Sequence, residues 1–241
     1  MVISPRAISP YRGTAWRLVE AQHLVSTLKL VDSLAEQEML EAALEESKPR
    51  LPPECRGLDY LLATPFRYGA AYPYGSRFRR AGKTLGVFYC AEAVETALAE
   101  MAFYRLLFFA ESPDTPLPAN ATDYTAFSVA LSVERSVDLT HAAMADEGDW
   151  RDPVDYADCQ ALADSARAEG IDVIRYASVR DPGAGANLAV LTCTAFSAPA
   201  PTGRQTWKLR VGPGVVQAVC EFPRMSLEFS RTDFAGDPRL G

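Results

Sequence analysis

The chain has 241 residues, 48% of them hydrophobic and 23% charged, which suits one large folded domain, alone or with a small addition, and excludes a disordered chain. Its 24 Lys and Arg against 31 Asp and Glu leave a net charge of −7, which excludes a general nucleic-acid binder that works by neutralising phosphates. The five cysteines (Cys55, Cys90, Cys159, Cys193 and Cys220) are scattered and form no CxxC pair, so the expectation is reduced, mostly buried thiols rather than a zinc ribbon or a redox dithiol.

The leading MVISPRAISPYRG lacks the apolar run of a signal peptide. The most apolar stretch, MAFYRLLFFA, is too short to span a bilayer and carries Arg105. A cytoplasmic protein without a membrane anchor is expected. The N-terminal third reads as helical. Ser33 and Glu36 form a capping box before SLAEQEMLEAALEES, Leu34, Met39 and Leu44 supply its apolar positions, and Pro49, Pro52 and Pro53 end it. Residues 1–56 are thus expected to be a helical extension packed on a core of residues 57–241.

LLATPFRYGAAYPYGSRFRRAGK, rich in Gly, aromatics and Arg, reads as irregular. LGVFYC is a short strand that feeds the helix AEAVETALAEMAFYRLLFF, whose inward stripe is expected at Val94, Leu98, Met101, Arg105 and Phe108. YTAFSVALSVERSVDL alternates as a strand, and DPVDYADCQALADSARAEG is a helix closed by Gly170. IDVIRYASVR and ANLAVLTCTAF are strands around the turn DPGAG, and TWKLRV and VVQAVCEF flank a Gly212-Pro213-Gly214 hairpin. Runs of strands with few helices between them predict an α+β fold.

Standard cofactor signatures are absent: there is no GxGxxG, Walker loop or HExxH. Nothing supports a triad around His23 or His141, the only two histidines. Gly183 and Gly185 offer a weak phosphate loop for which a plain turn is the simpler reading. Residues 64–100 are the informative region. Arg67, Tyr68, Tyr72, Tyr74, Arg77, Phe78, Arg79, Arg80 and Lys83 concentrate cationic forks and rings in an acidic protein, a combination suited to a ligand with phosphates and flat rings. A solvated basic loop is the alternative. Glu100 lies on the flank of its helix, neither on the apolar stripe nor opposite it.

TPFRY, YGSRFRRAGKTLGVFYCAEAVETALAEMAFYR and IRYASVRDPGAGANLAVL together resemble the RES family, whose members are toxins of bacterial toxin–antitoxin pairs. The resemblance covers about residues 60 to 196, with 12 positions from Arg77 to Tyr89 and 11 from Tyr89 to Glu100. It implies an ADP-ribosyltransferase-like mixed β-sheet core with flanking helices that takes NAD+ as substrate, breaks its nicotinamide–ribose bond and needs no metal. The residues it implies are Glu100, Arg77 and Tyr89 as catalytic, with Arg67, Tyr68, Ser178 and Asn187 beside Arg77 and Tyr89 for binding the dinucleotide, and Arg180 as a softer candidate. It also implies a helix-turn-helix antitoxin as partner and a protein acceptor for ADP-ribose. Two rivals stay open: an NAD+ glycohydrolase or phosphorylase, and a nucleotide-sensing module without chemistry.

Overall fold

A computed structural model describes residues 3–21, 30–67, 75–82, 85–144 and 147–240. It is an α+β fold. Among the described residues the strands are β1 (Ile8–Glu20), β2 (Phe88–Ala91), β3 (Thr122–Asp138), β4 (Val173–Ala177), β5 (Ala186–Val190), β6 (Gly203–Val211), β7 (Val215–Cys220) and β8 (Met225–Ser230). The α-helices are α1 (Leu34–Ser47), α2 (Tyr60–Arg67), α3 (Val94–Glu111) and α4 (Ala157–Ala168). The sheet runs β1-β2-β5-β4-β3-β6-β7-β8, and β1 pairs with β3 as well, so five strands close into a circuit with the β6–β7–β8 meander attached to β3.

The N-terminal segment departs from the helical expectation. Residues 8–20 form a long strand that runs antiparallel to β3 from Ile8↔Val137 to Glu20↔Tyr124. Pro10, which has no amide to donate, falls at the register shift between Ser9 and Tyr11, where the ladder can do without one. Helix α1 is capped as expected, Ser33 Oγ accepting from the Glu36 amide at 3.2 Å. Its apolar residues Leu34, Met39 and Leu44 are nonetheless exposed, and Gln37 is the buried one. Residues 60–67, expected to be irregular, form a helix that tolerates Pro65.

Strand alternation sorts the core into three groups. Phe88 and Cys90 of β2, Phe127, Val129, Leu131 and Val133 of β3, and Leu188 and Val190 of β5 point into the circuit, against α2. Ile174 and Tyr176 of β4 and Ala189 of β5 point the other way, toward α4. The meander and Trp207 pack under α3. Helix α3 buries Thr96, Ala97, Leu98, Ala99, Ala102, Phe103, Leu106 and Leu107. The expected stripe is therefore partly displaced: Phe108 is exposed, and Arg105 leaves the core to meet Glu20 and the Tyr124 hydroxyl.

Cys55 and Cys193 form a disulfide, with Cα atoms 5.4 Å apart across a sequence separation of 138, contrary to the expectation of five reduced thiols. Both sit in 3-10 turns, Pro53–Cys55 and Cys193–Ala195, buried against the inside of the circuit. Cys90, Cys159 and Cys220 are free and buried. None of the described helices is long and apolar enough to cross a membrane.

Gly86 leads into β2 where the chain presses on the end of α2. A Cβ there would overlap the carbonyl of Pro65 and come within 3.0 Å of Phe66 Cα. Both are backbone atoms that cannot swing aside. Gly86→Ala is expected to destabilise the fold by about 1–3 kcal/mol, seen as a drop of several degrees in the thermal midpoint by circular dichroism. An unchanged midpoint would refute the close approach.

Candidate active site

Register places the site on one face of three neighbouring strands. Asn187 stands opposite Ala91 of β2 and Tyr176 of β4, while Tyr89 stands opposite Ala189. The period-2 alternation that sends Leu188 and Val190 into the circuit turns Asn187 to the outer face with Tyr89 and Tyr176. Ser178, two residues past Tyr176, keeps the same parity beyond the strand end. Glu100 comes to this face from α3.

The Glu100 carboxylate is held by three donors. Ser178 Oγ donates to Oε1 at 2.7 Å, Asn187 Nδ2 donates to the same oxygen at 2.6 Å, and Arg180 Nη1 donates to Oε2 at 3.3 Å. Its side chain keeps 21% exposure, whereas that of Arg180 keeps 5%. The carboxylate is thus fixed at its base and open on one side. Arg180 lies over the rings of Phe103 at 4.3 Å and Tyr104 at 5.0 Å. Its Nη2 donates to the Tyr156 hydroxyl at 3.0 Å and to the Pro153 carbonyl at 3.3 Å. Burial alone would lower its pKa, but Glu100 and the phenols of Tyr104 and Tyr156 outweigh burial and hold it above its ordinary value.

The turn after β4 is pinned to α3. Ser178 Oγ accepts from the amides of Arg180 and Asp181, at 3.2 and 3.0 Å. Asp181 in turn accepts from the Gly183 and Gly185 amides and from Thr96 Oγ1, the last at 2.7 Å. A Cβ on Gly185 would fall on Thr96 Oγ1. The DPGAG segment is therefore a plain turn whose glycine amides are directed at its own aspartate, as the simpler sequence reading held.

Arg77 and Tyr89 stand differently. Arg77 is buried, donating to the carbonyls of Trp150 and Asp152, both at 2.9 Å, with its guanidinium 4.7 Å from the Tyr156 ring centroid. Tyr89 bonds Ser76 Oγ at 2.8 Å and accepts from the Phe78 amide at 3.0 Å. Burial pushes its hydroxyl up to about 12, while these two bonds act the other way. Among the described residues neither is hydrogen-bonded to Glu100; they hold the 75–80 turn, which Gln160 of α4 also grips through the carbonyls of Ser76 and Arg79. Tyr176 links the two halves. Its hydroxyl is driven well above its ordinary value, first by burial, then by the charge of Glu100 and by Tyr89, with Arg77 opposing. Arg67 meets Glu45 of α1 at 2.5 Å. Tyr68 lies outside the described residues.

Sequence reasoning passed over Tyr156, Tyr176 and Asp237. Tyr176 carried a readable signal, since it shares strand parity with Ser178. Among the described residues no group of three or more His, Cys, Asp or Glu is placed to hold a metal. Two surface hollows, of about 210 and 440 Å³, lie at the far end of α3 and beside the β6–β7 hairpin, away from Glu100 and its partners.

The RES domain profile matches residues 50–211 of the chain. Among solved structures, the M. tuberculosis MbcT–MbcA toxin–antitoxin complex contains a chain that is similar with a TM-score of 0.43 and 16% sequence identity, over 93% of this chain and 88% of that one. No curated protein matches.

Proposed function

Because the chain belongs to the RES-domain family, we propose that it is an NAD+-consuming toxin that splits the nicotinamide–ribose bond and transfers ADP-ribose to a protein. The observation that carries this reading is the carboxylate of Glu100, fixed by Ser178, Asn187 and Arg180 yet open on one side. When the ribosyl C–N bond breaks, its electron pair leaves with neutral nicotinamide, and the sugar develops oxocarbenium-like charge. A fixed anion beside the ribose offsets that charge and costs little reorganisation at the moment of reaction. No general acid is needed.

In this reading Glu100 is the catalytic residue, and Ser178 and Asn187 orient it. Arg77 and Tyr89 act by holding the 75–80 turn, and Arg67 with Tyr68 binds the dinucleotide. The protein works in the cytoplasm and is restrained by a cognate helix-turn-helix antitoxin that covers the cleft.

The test incubates the purified chain with adenine-labelled NAD+ and cell extract. Nicotinamide release with label on a protein band is the expected result. Free ADP-ribose or its phosphorylated form, with unlabelled protein bands, would replace transfer by glycohydrolysis or phosphorolysis at the same site. Labelled NAD+ that stays intact would overturn the enzyme reading and leave a sensing module.

A further inference from the structure

The matched family region ends at residue 211, yet the charge network around Glu100 does not. The 3-10 turn Arg231–Phe234 is closed by a reciprocal Ser230–Asp233 capping box. Phe234 packs edge-on against Phe103 of α3 at 5.6 Å. The chain then carries Asp237 to the far side of Arg180. Asp237 Oδ2 lies 3.9 Å from Arg180 Nη2, and the Asp237 side chain is only 4% exposed. Arg239 donates to both carboxylate oxygens of Asp237, at 2.9 and 2.6 Å, and to the Pro153 carbonyl at 3.2 Å. Arg239 also sits 5.3 Å from the centroid of the Phe103 ring that Arg180 covers.

Arg180 is thus a buried cation between two carboxylates, with a second guanidinium close by. We propose that Asp237 is a positioning residue that acts on Glu100 through Arg180. It supplies the second counter-charge that keeps Arg180 from pairing fully with Glu100, and it separates Arg180 from Arg239. If the Asp237 charge is removed, the two guanidinium groups repel across a poorly solvated gap. Arg180 is then driven onto Glu100, its remaining carboxylate. A neutralised Glu100 is less able to offset charge developing beside it. The inference rests on the proposed splitting reaction for its kinetic consequence, and on geometry alone for the link from Asp237 to Arg180.

The experiment uses the full chain with Asp237→Asn, Asp237→Glu and Ser230→Ala. Nicotinamide release gives kcat and KM for NAD+, and the Arg180 Nε–H resonance is followed by nitrogen-15 NMR. Asp237→Asn is expected to lower kcat about 10- to 100-fold with KM changed by less than about threefold, the pattern of a lost transition-state contribution. It should also shift the Arg180 resonance. Asp237→Glu restores most of kcat. Ser230→Ala removes the cap, lowers the melting temperature, and keeps both kcat and the resonance.

Wild-type kcat in Asp237→Asn, or an equal loss in Ser230→Ala, overturns the proposal in favour of a plain structural role. If the wild type releases no nicotinamide, the splitting reaction fails. The resonance then decides alone: a shift in Asp237→Asn but not in Ser230→Ala upholds the link to Arg180, and no shift overturns it.

Discussion

Glu100→Gln is expected to lower nicotinamide release by about 10²–10³-fold while the protein stays folded. The amide oxygen can still accept from Ser178 and Asn187, whose donors meet one oxygen of the carboxylate. The amide nitrogen then faces Arg180 Nη1, donor against donor, in place of the bond to Oε2. Losing one charge-assisted bond costs about 1–3 kcal/mol, a few degrees of melting temperature in a chain of this size. Arg180 keeps Tyr156, Pro153 and Asp237, which limits the damage. The loss of turnover therefore reads the missing charge rather than a missing fold. Single-turnover assays on the purified variant, with circular dichroism alongside, check this. Turnover at the wild-type level would remove Glu100 from the chemistry.

Arg77→Ala is expected to have the largest effect on stability, about 3–5 kcal/mol, with activity lost as a consequence. Alanine strands the carbonyls of Trp150 and Asp152, each of which accepts a guanidinium bond, and removes the cation from the face of Tyr156. Tyr156 is the residue whose hydroxyl accepts from Arg180, so the loss reaches the Glu100 cluster through one ring. The measurement is urea unfolding of the variant against wild type. A variant with a wild-type midpoint that has merely lost affinity for NAD+ would return Arg77 to the role of phosphate grip.

The face of the site could be read from local sequence; its membership could not. The β4–turn–β5 hairpin, the β6–β7 hairpin, the β2–α3 succession and the stop at Gly170 follow from short-range signals. The Ser178 and Asn187 bonds to Glu100 span 78 and 87 positions, and no local pattern announces such a convergence. Only the resemblance put these residues together. The inward face of α3 was hard to read because its apolar residues run nearly all the way round, so periodicity could not single out one side. Strand β1 was missed because Pro10 and Gly13 interrupt its pattern and its partner β3 lies far along the chain. Helix α2 was missed for the same kind of reason: Pro65 marked it as a break, yet packing of Leu62, Ala63 and Phe66 against the circuit holds it. The Cys55–Cys193 pairing could not come from spacing, since scattered cysteines fix no connectivity. Asp237 carried no signal, because its significance depends on where a C-terminal turn docks.

The β1–β3 pairing has a kinetic meaning. Glu20 meets Tyr124 and Ile8 meets Val137, so roughly a hundred intervening residues must be gathered before this ladder can zip, unlike the local β4–β5, β6–β7 and β7–β8 ladders. Assembly dominated by such distant partners is slow. The ring also leaves no half that can mature alone, because β3 serves β1 on one side and both β4 and β6 on the other. The cluster at Glu100 joins residues 78 and 87 positions apart, so it is expected to form only once the strands of the circuit have come together.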